Sequence, residues 1–203
     1  MLDTLLSFVF ATSILAISPG PDNIYVLTQS IVNGKKYGLA TVYGLITGCI
    51  IHTSLLAFGV SAIIAASETI YFIIKLFGAV YLLFLAYKVY NADAIILLSN
   101  KADKKSTKQL FKQGFIMNVL NPKVTIFFLA FFPGFLFSGS ISKVIQFYVL
   151  GFLFMLTSLI IFSTIAILAG KISDYLQQNS KVGFYLKWMQ IVVFVGIAIF
   201  ILV

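Results

Sequence analysis

Arginine is absent from the chain; cysteine, histidine and tryptophan occur once each, and only six residues are acidic. The single Cys49 excludes a disulfide framework and a thiolate cluster. The single His52 has no Cys, His or carboxylate partner at ligand spacing, so no metal site is expected. There is no nucleophile elbow, zinc helix or cofactor fingerprint, so neither an enzyme nor a cofactor is expected. The N-terminus has no basic region, carries Asp3 and runs into a Pro-Gly-Pro break, so a cleaved signal peptide is not expected.

What the chain has is hydrocarbon. Of its 203 residues 61% are hydrophobic and 10% charged, more apolar surface than a soluble domain of this length can bury. All 14 basic residues are lysine and the net charge is +8. The lysines sit between apolar runs rather than along one face, which fits orientation in a membrane and not nucleic-acid binding.

Six apolar stretches, at about 4–32, 39–66, 70–90, 110–136, 144–169 and 184–202, each reach the roughly 20 residues that cross a bilayer. Lysines cluster after the first and third stretches and around the fifth connection, eleven against the lone Lys143 on the other side. The positive-inside rule then places both termini outside and the basic loop 91–112 in the cytoplasm, where its lysines face anionic lipid. This loop separates two three-span parts, 1–90 and 113–203. An odd number of spans per part makes them run in opposite directions, as in an inverted repeat.

The first stretch contains Ser18-Pro19-Gly20-Pro21-Asp22-Asn23, which no continuous membrane helix should hold. Each proline costs a helix interior roughly 3 kcal/mol, and a carboxylate at membrane depth costs about as much again. Irregular backbone is tolerated there only inside protein or along a polar cavity. The fourth stretch is interrupted in the same way by Asn121-Pro122-Lys123, 103 residues after Pro19, and the same offset carries Gly48 onto Gly151. Asp22 and Lys123 each lie roughly 15 Å from the cytoplasmic end of their spans at 1.5 Å per residue. The two breaks are therefore expected to meet at mid-membrane. Matched interruptions of this kind point to a transporter's substrate site.

Ser18-Pro19 and Asn121-Pro122 share one grammar, an N-cap followed by proline at the first helical position. Each would leave free N–H groups and a positive helix end facing a substrate carboxylate. Asp22 and Asn23 cap the first break or bind a cation; Lys123 pairs with Asp22 or binds an anion. His52, in Gly44-x-x-x-Gly48-x-x-x-His52, serves buried hydrogen bonding or a proton relay. The Phe-rich run 127–132 is read as lipid-facing or packing surface.

Both breaks, in this order and at this span count, resemble the LysE/RhtB family of amino-acid exporters. Gly34, Gly38, Gly48, His52, Gly78-x-x-Tyr81-Leu82, Gly114 and Asn118 add to the likeness, while Ala86, Gly134 and Gln190 depart from the family pattern outside both breaks. The resemblance implies an all-α inner-membrane protein of six helices that exports amino acids or close derivatives by proton exchange. The expected substrate site is Ser18, Pro19, Gly20, Pro21, Asp22, Asn23, Asn121, Pro122 and Lys123, with Asp22 and His52 coupling protons. The expected partners are a small amino acid, protons and membrane lipid, with a homo-oligomer left open. Export of inorganic cations and a non-transporting membrane protein are the alternatives.

Overall fold

The computed structural model describes residues 1–93 and 104–202. Residues 94–103 of the basic loop, with Lys101, lie outside the described residues.

The apolar runs form helices. α1 (Leu2–Ile17) and α2 (Pro21–Asn33) meet at 59°. Gly34 then turns the chain at φ 100°, a left-handed value that glycine adopts without strain, into α3 (Lys35–Leu55). A π turn, Leu56–Val60, and α4 (Ser61–Ala66) extend it, and α5 (Glu68–Asn91) returns. In the second part α6 (Thr107–Val119) and the helical run Pro122–Phe135 meet at 48°; α7 (Pro122–Ile126) opens that run. α8 (Lys143–Ile167), α9 (Ala169–Gln178) and α10 (Ser180–Leu202) complete the described chain. No strand occurs among the described residues.

Four helical stretches are long and apolar enough to cross a bilayer alone, and the two bent pairs raise the number to six. Between 22% and 39% of the most apolar 18-residue stretch of each is buried, and the exposed apolar residues of all four are suited to lipid. Phe58, Phe72, Phe77, Phe152 and Val192 are among these outward residues. The protein is an all-α integral membrane protein with its first and fourth spans bent.

Two local features differ from the sequence reading, and a third decides between the alternatives it left open. The basic loop stops at Ser106 rather than at residue 112. Ser106 Oγ accepts the Gln109 N–H while Gln109 Oε1 accepts the Ser106 N–H, a reciprocal cap that starts α6 and puts Lys108 and Lys112 on it. The fifth connection holds an amphipathic helix, α9, on which Ala169 and Ser173 are buried and Lys171, Asp174 and Tyr175 exposed. The run 127–132 packs inward: Phe127, Phe128, Phe131 and Phe132 are all buried. A second π turn, Phe127–Phe131, stacks Phe127 on Phe131 at 4.4 Å and Phe128 on Phe132 at 4.1 Å, with Phe8 edge-on to Phe132 at 4.9 Å.

Several helix pairs run between the residues before and after the basic loop. α3 packs on α6 of the opposite part, α8 packs on α1, α3 meets α8, and α5 meets α10. Small residues permit the closest approaches. A Cβ on Gly44 would strike the Phe111 carbonyl, one on Gly114 would strike that of Thr41, and one on Gly151 would lie 2.5 Å from the Thr53 side chain.

Candidate functional site

At the first break, α1 ends at Ile17 and the backbone runs extended through Ser18 (ψ 122°) to Gly20 (φ −164°, ψ 174°). Gly20 is the N-cap and Pro21 the first helical residue of α2, a correction to the expected Ser18-Pro19 start. A helix begun at Pro19 would hold Gly20 in the α region directly before Pro21, which the proline ring disfavours. Ser18 instead ends α1, fully buried, its hydroxyl without a partner. Asn23 Nδ2 donates to the Ala16 carbonyl at 2.7 Å, tying the start of α2 to the end of α1.

The second break has the expected form. Asn121 Oδ1 accepts the Lys123 N–H at 3.0 Å, and Pro122 takes the first helical position. Pro122 has no N–H to give the Asn118 carbonyl four residues before it. That carbonyl instead accepts the Asn121 N–H at 3.0 Å, and His52 of α3 adds a second donor: its Nε2 lies 3.0 Å from the same oxygen and so carries the proton. His52 thus ties α3 to the last turn of α6 at the break.

The two breaks meet. Asn121 Nδ2 donates to Asp22 Oδ2 at 2.9 Å, joining residues 99 positions apart. The Lys123 side chain also crosses over: a Cβ on Gly20 would lie 3.5 Å from its Nζ. That ammonium sits over the Phe194 ring of α10, 5.1 Å from the centroid, and its charge acts on Asp22 through space. Asn121, rather than Lys123, makes the direct contact with the carboxylate.

A cavity of about 40 Å³ opens between the breaks, where the two apolar clusters of the core adjoin. Gly20, Pro21, Asp22, Asn23, Asn121 and Lys123 line it. Ser18, Pro19 and Pro122 do not: Pro19 faces a separate apolar groove with Ile172 and Leu176, and Pro122 is exposed. His52 stands behind Asn118, outside the lining.

Cys49, Asn118 and Ser158 also line the cavity and were not among the expected site residues. The Cys49 thiol donates to Asn118 Oδ1 at 3.7 Å. Asn118 was legible, as a polar amide one turn before the Asn-Pro-Lys break. Ser158, in a long apolar helix, gives no sequence signal of its own.

The family model for LysE type translocators matches residues 13–203. The chain belongs to the LysE type translocator family. Among curated proteins, the translocator is similar to the homoserine/homoserine lactone efflux protein of Salmonella typhimurium, 29% identical over 84% of this chain and 82% of that protein. The protein of the same name from Salmonella typhi is 30% identical over the same shares. The uncharacterized membrane protein YrhP of Bacillus subtilis is 29% identical over 69% of this chain and 71% of its own. No solved structure matches this translocator.

Proposed function

We propose that this translocator exports homoserine-like small amino acids from the cytoplasm by exchange for protons, at the cavity where the two breaks meet. The observation that carries the reading is the Asp22 carboxylate at that junction, held by Asn121 and faced by the Lys123 ammonium. A zwitterion needs one group of each sign, and both are here. Lys123 and the N–H groups opening α2 would hold the substrate carboxylate. Asp22 would take the α-ammonium, displacing the Asn121 amide, and would carry a proton on the return step. Competition for one carboxylate couples the two fluxes, and His52 serves the break rather than the proton.

The cavity holds about three waters by volume, while glycine, the smallest amino acid, has five non-hydrogen atoms. Substrate admission therefore requires the inverted parts 1–90 and 113–203 to rock apart around the site. The protein lies in the inner membrane with both termini outside. Its lysines support this orientation, and the aromatic residues Tyr87, Tyr90, Tyr185 and Trp188 beside Lys88 and Lys187 suit an interface at those ends of α5 and α10. Export of metal cations has little to rest on: among the described residues no three His, Cys, Asp or Glu side chains converge.

Purified protein in proteoliposomes, given a panel of labelled amino acids and an imposed pH gradient, tests the reading. Gradient-driven homoserine accumulation is expected. A flux confined to divalent cations, or none at all, would overturn it.

A further inference from the structure

Many helical serines and threonines of this chain follow one rule, and of the helical ones among the described residues whose buried hydroxyl has no partner, Thr12, Ser61 and Ser158, only Ser158 lines the cavity. Ser13, Ser30, Thr41, Thr47, Thr53 and Thr164 each donate to the carbonyl four residues before, at 2.7 to 3.2 Å. Such back-bonding is the ordinary way for a hydroxyl to be satisfied inside a membrane helix. Ser158 does not do so. It is 2% exposed, its Oγ has no hydrogen-bond partner, and it lines the cavity with Phe154 and Phe162 one turn to either side on α8. A buried hydroxyl without a partner is destabilising, and a ligand with a polar group at that position removes the cost.

The neighbouring carboxylate and amide side chains that line the cavity are already engaged, and the unpartnered Ser18 hydroxyl lies outside the lining. Asp22 bonds to Asn121, Asn23 to the Ala16 carbonyl, and the Asn118 amide oxygen to the Cys49 thiol. Ser158 stands on α8, away from both breaks in the chain, and its two flanking rings are apolar. It suits the far end of an amino acid whose charged end is held by Asp22 and Lys123.

We propose that Ser158 is the specificity-determining residue of the cavity: its hydroxyl hydrogen-bonds the side-chain oxygen of the substrate, selecting hydroxylated amino acids over apolar ones of the same size. This rests on the function proposed above. It deepens that reading by assigning the side-chain end of the site, which nothing at the breaks provides.

The test uses L-homoserine and L-norvaline, which differ by a terminal hydroxyl in place of a methyl, as labelled substrates of the full chain in proteoliposomes. Wild type should favour homoserine in kcat/KM by roughly tenfold or more, since a site built around a hydroxyl rejects the analogue without it. Ser158→Ala should lower the homoserine value by about tenfold, through KM, with norvaline within about twofold of wild type. Ser158→Thr, which keeps the hydroxyl, should restore the preference. A wild-type preference below about threefold overturns the proposal by itself, whatever the variants do. So does equal loss of both substrates in Ser158→Ala; in either case the transport reading stands if both amino acids still move with the pH gradient. Absence of any amino-acid flux in wild type sinks both together.

Discussion

Replacing Asn121 separates the two jobs that its side chain performs at the junction. The amide nitrogen donates to Asp22 at 2.9 Å, and the amide oxygen caps α7 through the Lys123 N–H at 3.0 Å. A lost cap costs about 1 kcal/mol, and a lost hydrogen bond to a charged group about 1.5 to 3 kcal/mol. Asn121→Ala should therefore lose about 3 kcal/mol, more than a hundredfold in the folded ratio. Asn121→Ser keeps a good capping residue but is too short to reach Asp22, so it should lose about 2 kcal/mol and stand about 1 kcal/mol above the alanine variant. Reversible unfolding by SDS in mixed micelles measures both, with Trp188, the single tryptophan, as reporter. If both variants lie within about 0.5 kcal/mol of wild type, the inter-break bond contributes nothing. If alanine and serine are equal, the cap is not formed.

Three further outcomes follow from the same geometry. Lys123→Met should weaken homoserine binding at least tenfold by calorimetry, because a charge-assisted contact to the carboxylate is lost; unchanged affinity would place the carboxylate elsewhere. His52→Phe should cost about 1 kcal/mol in the SDS assay by removing one of the two donors on the Asn118 carbonyl, while the pH profile of driven export keeps its shape; a changed profile would return His52 to the proton path. Gly44→Ala and Gly114→Ala should each cost about 1 to 3 kcal/mol, since the added methyl meets backbone of the facing helix. Gly59→Ala, where a Cβ meets no atom within 4 Å, is the control and should be near neutral.

The breaks were legible because their residues conflict with their surroundings. Proline, glycine and aspartate inside a hydrophobic run have few physical excuses, and two such conflicts a half-chain apart imply a meeting place. The exact start of α2 was harder to read, because Ser18-Pro19 and Gly20-Pro21 offer competing cap-proline pairs and only backbone sterics decides between them. Ser106-x-x-Gln109 was a readable cap, overlooked because the surrounding lysines read as loop. α9 was hidden by Gly170, Ser173 and Asp174, whose polarity also fits a connection. The inward turn of the Phe-rich run depends on which neighbours it meets, and Phe8 and Phe154 lie far away in sequence. Ser158 was illegible for a different reason: a serine that back-bonds to its own helix and one that waits for a ligand look alike until the hydroxyl is placed.

The sharpest single test is homoserine export by Asp22→Asn beside wild type, in proteoliposomes under an imposed pH gradient. The variant keeps the shape of the side chain and loses its charge, so it should insert and fold yet accumulate no substrate against a gradient. Unimpaired, pH-dependent export by Asp22→Asn would contradict a coupling carboxylate at the meeting point of the two broken helices.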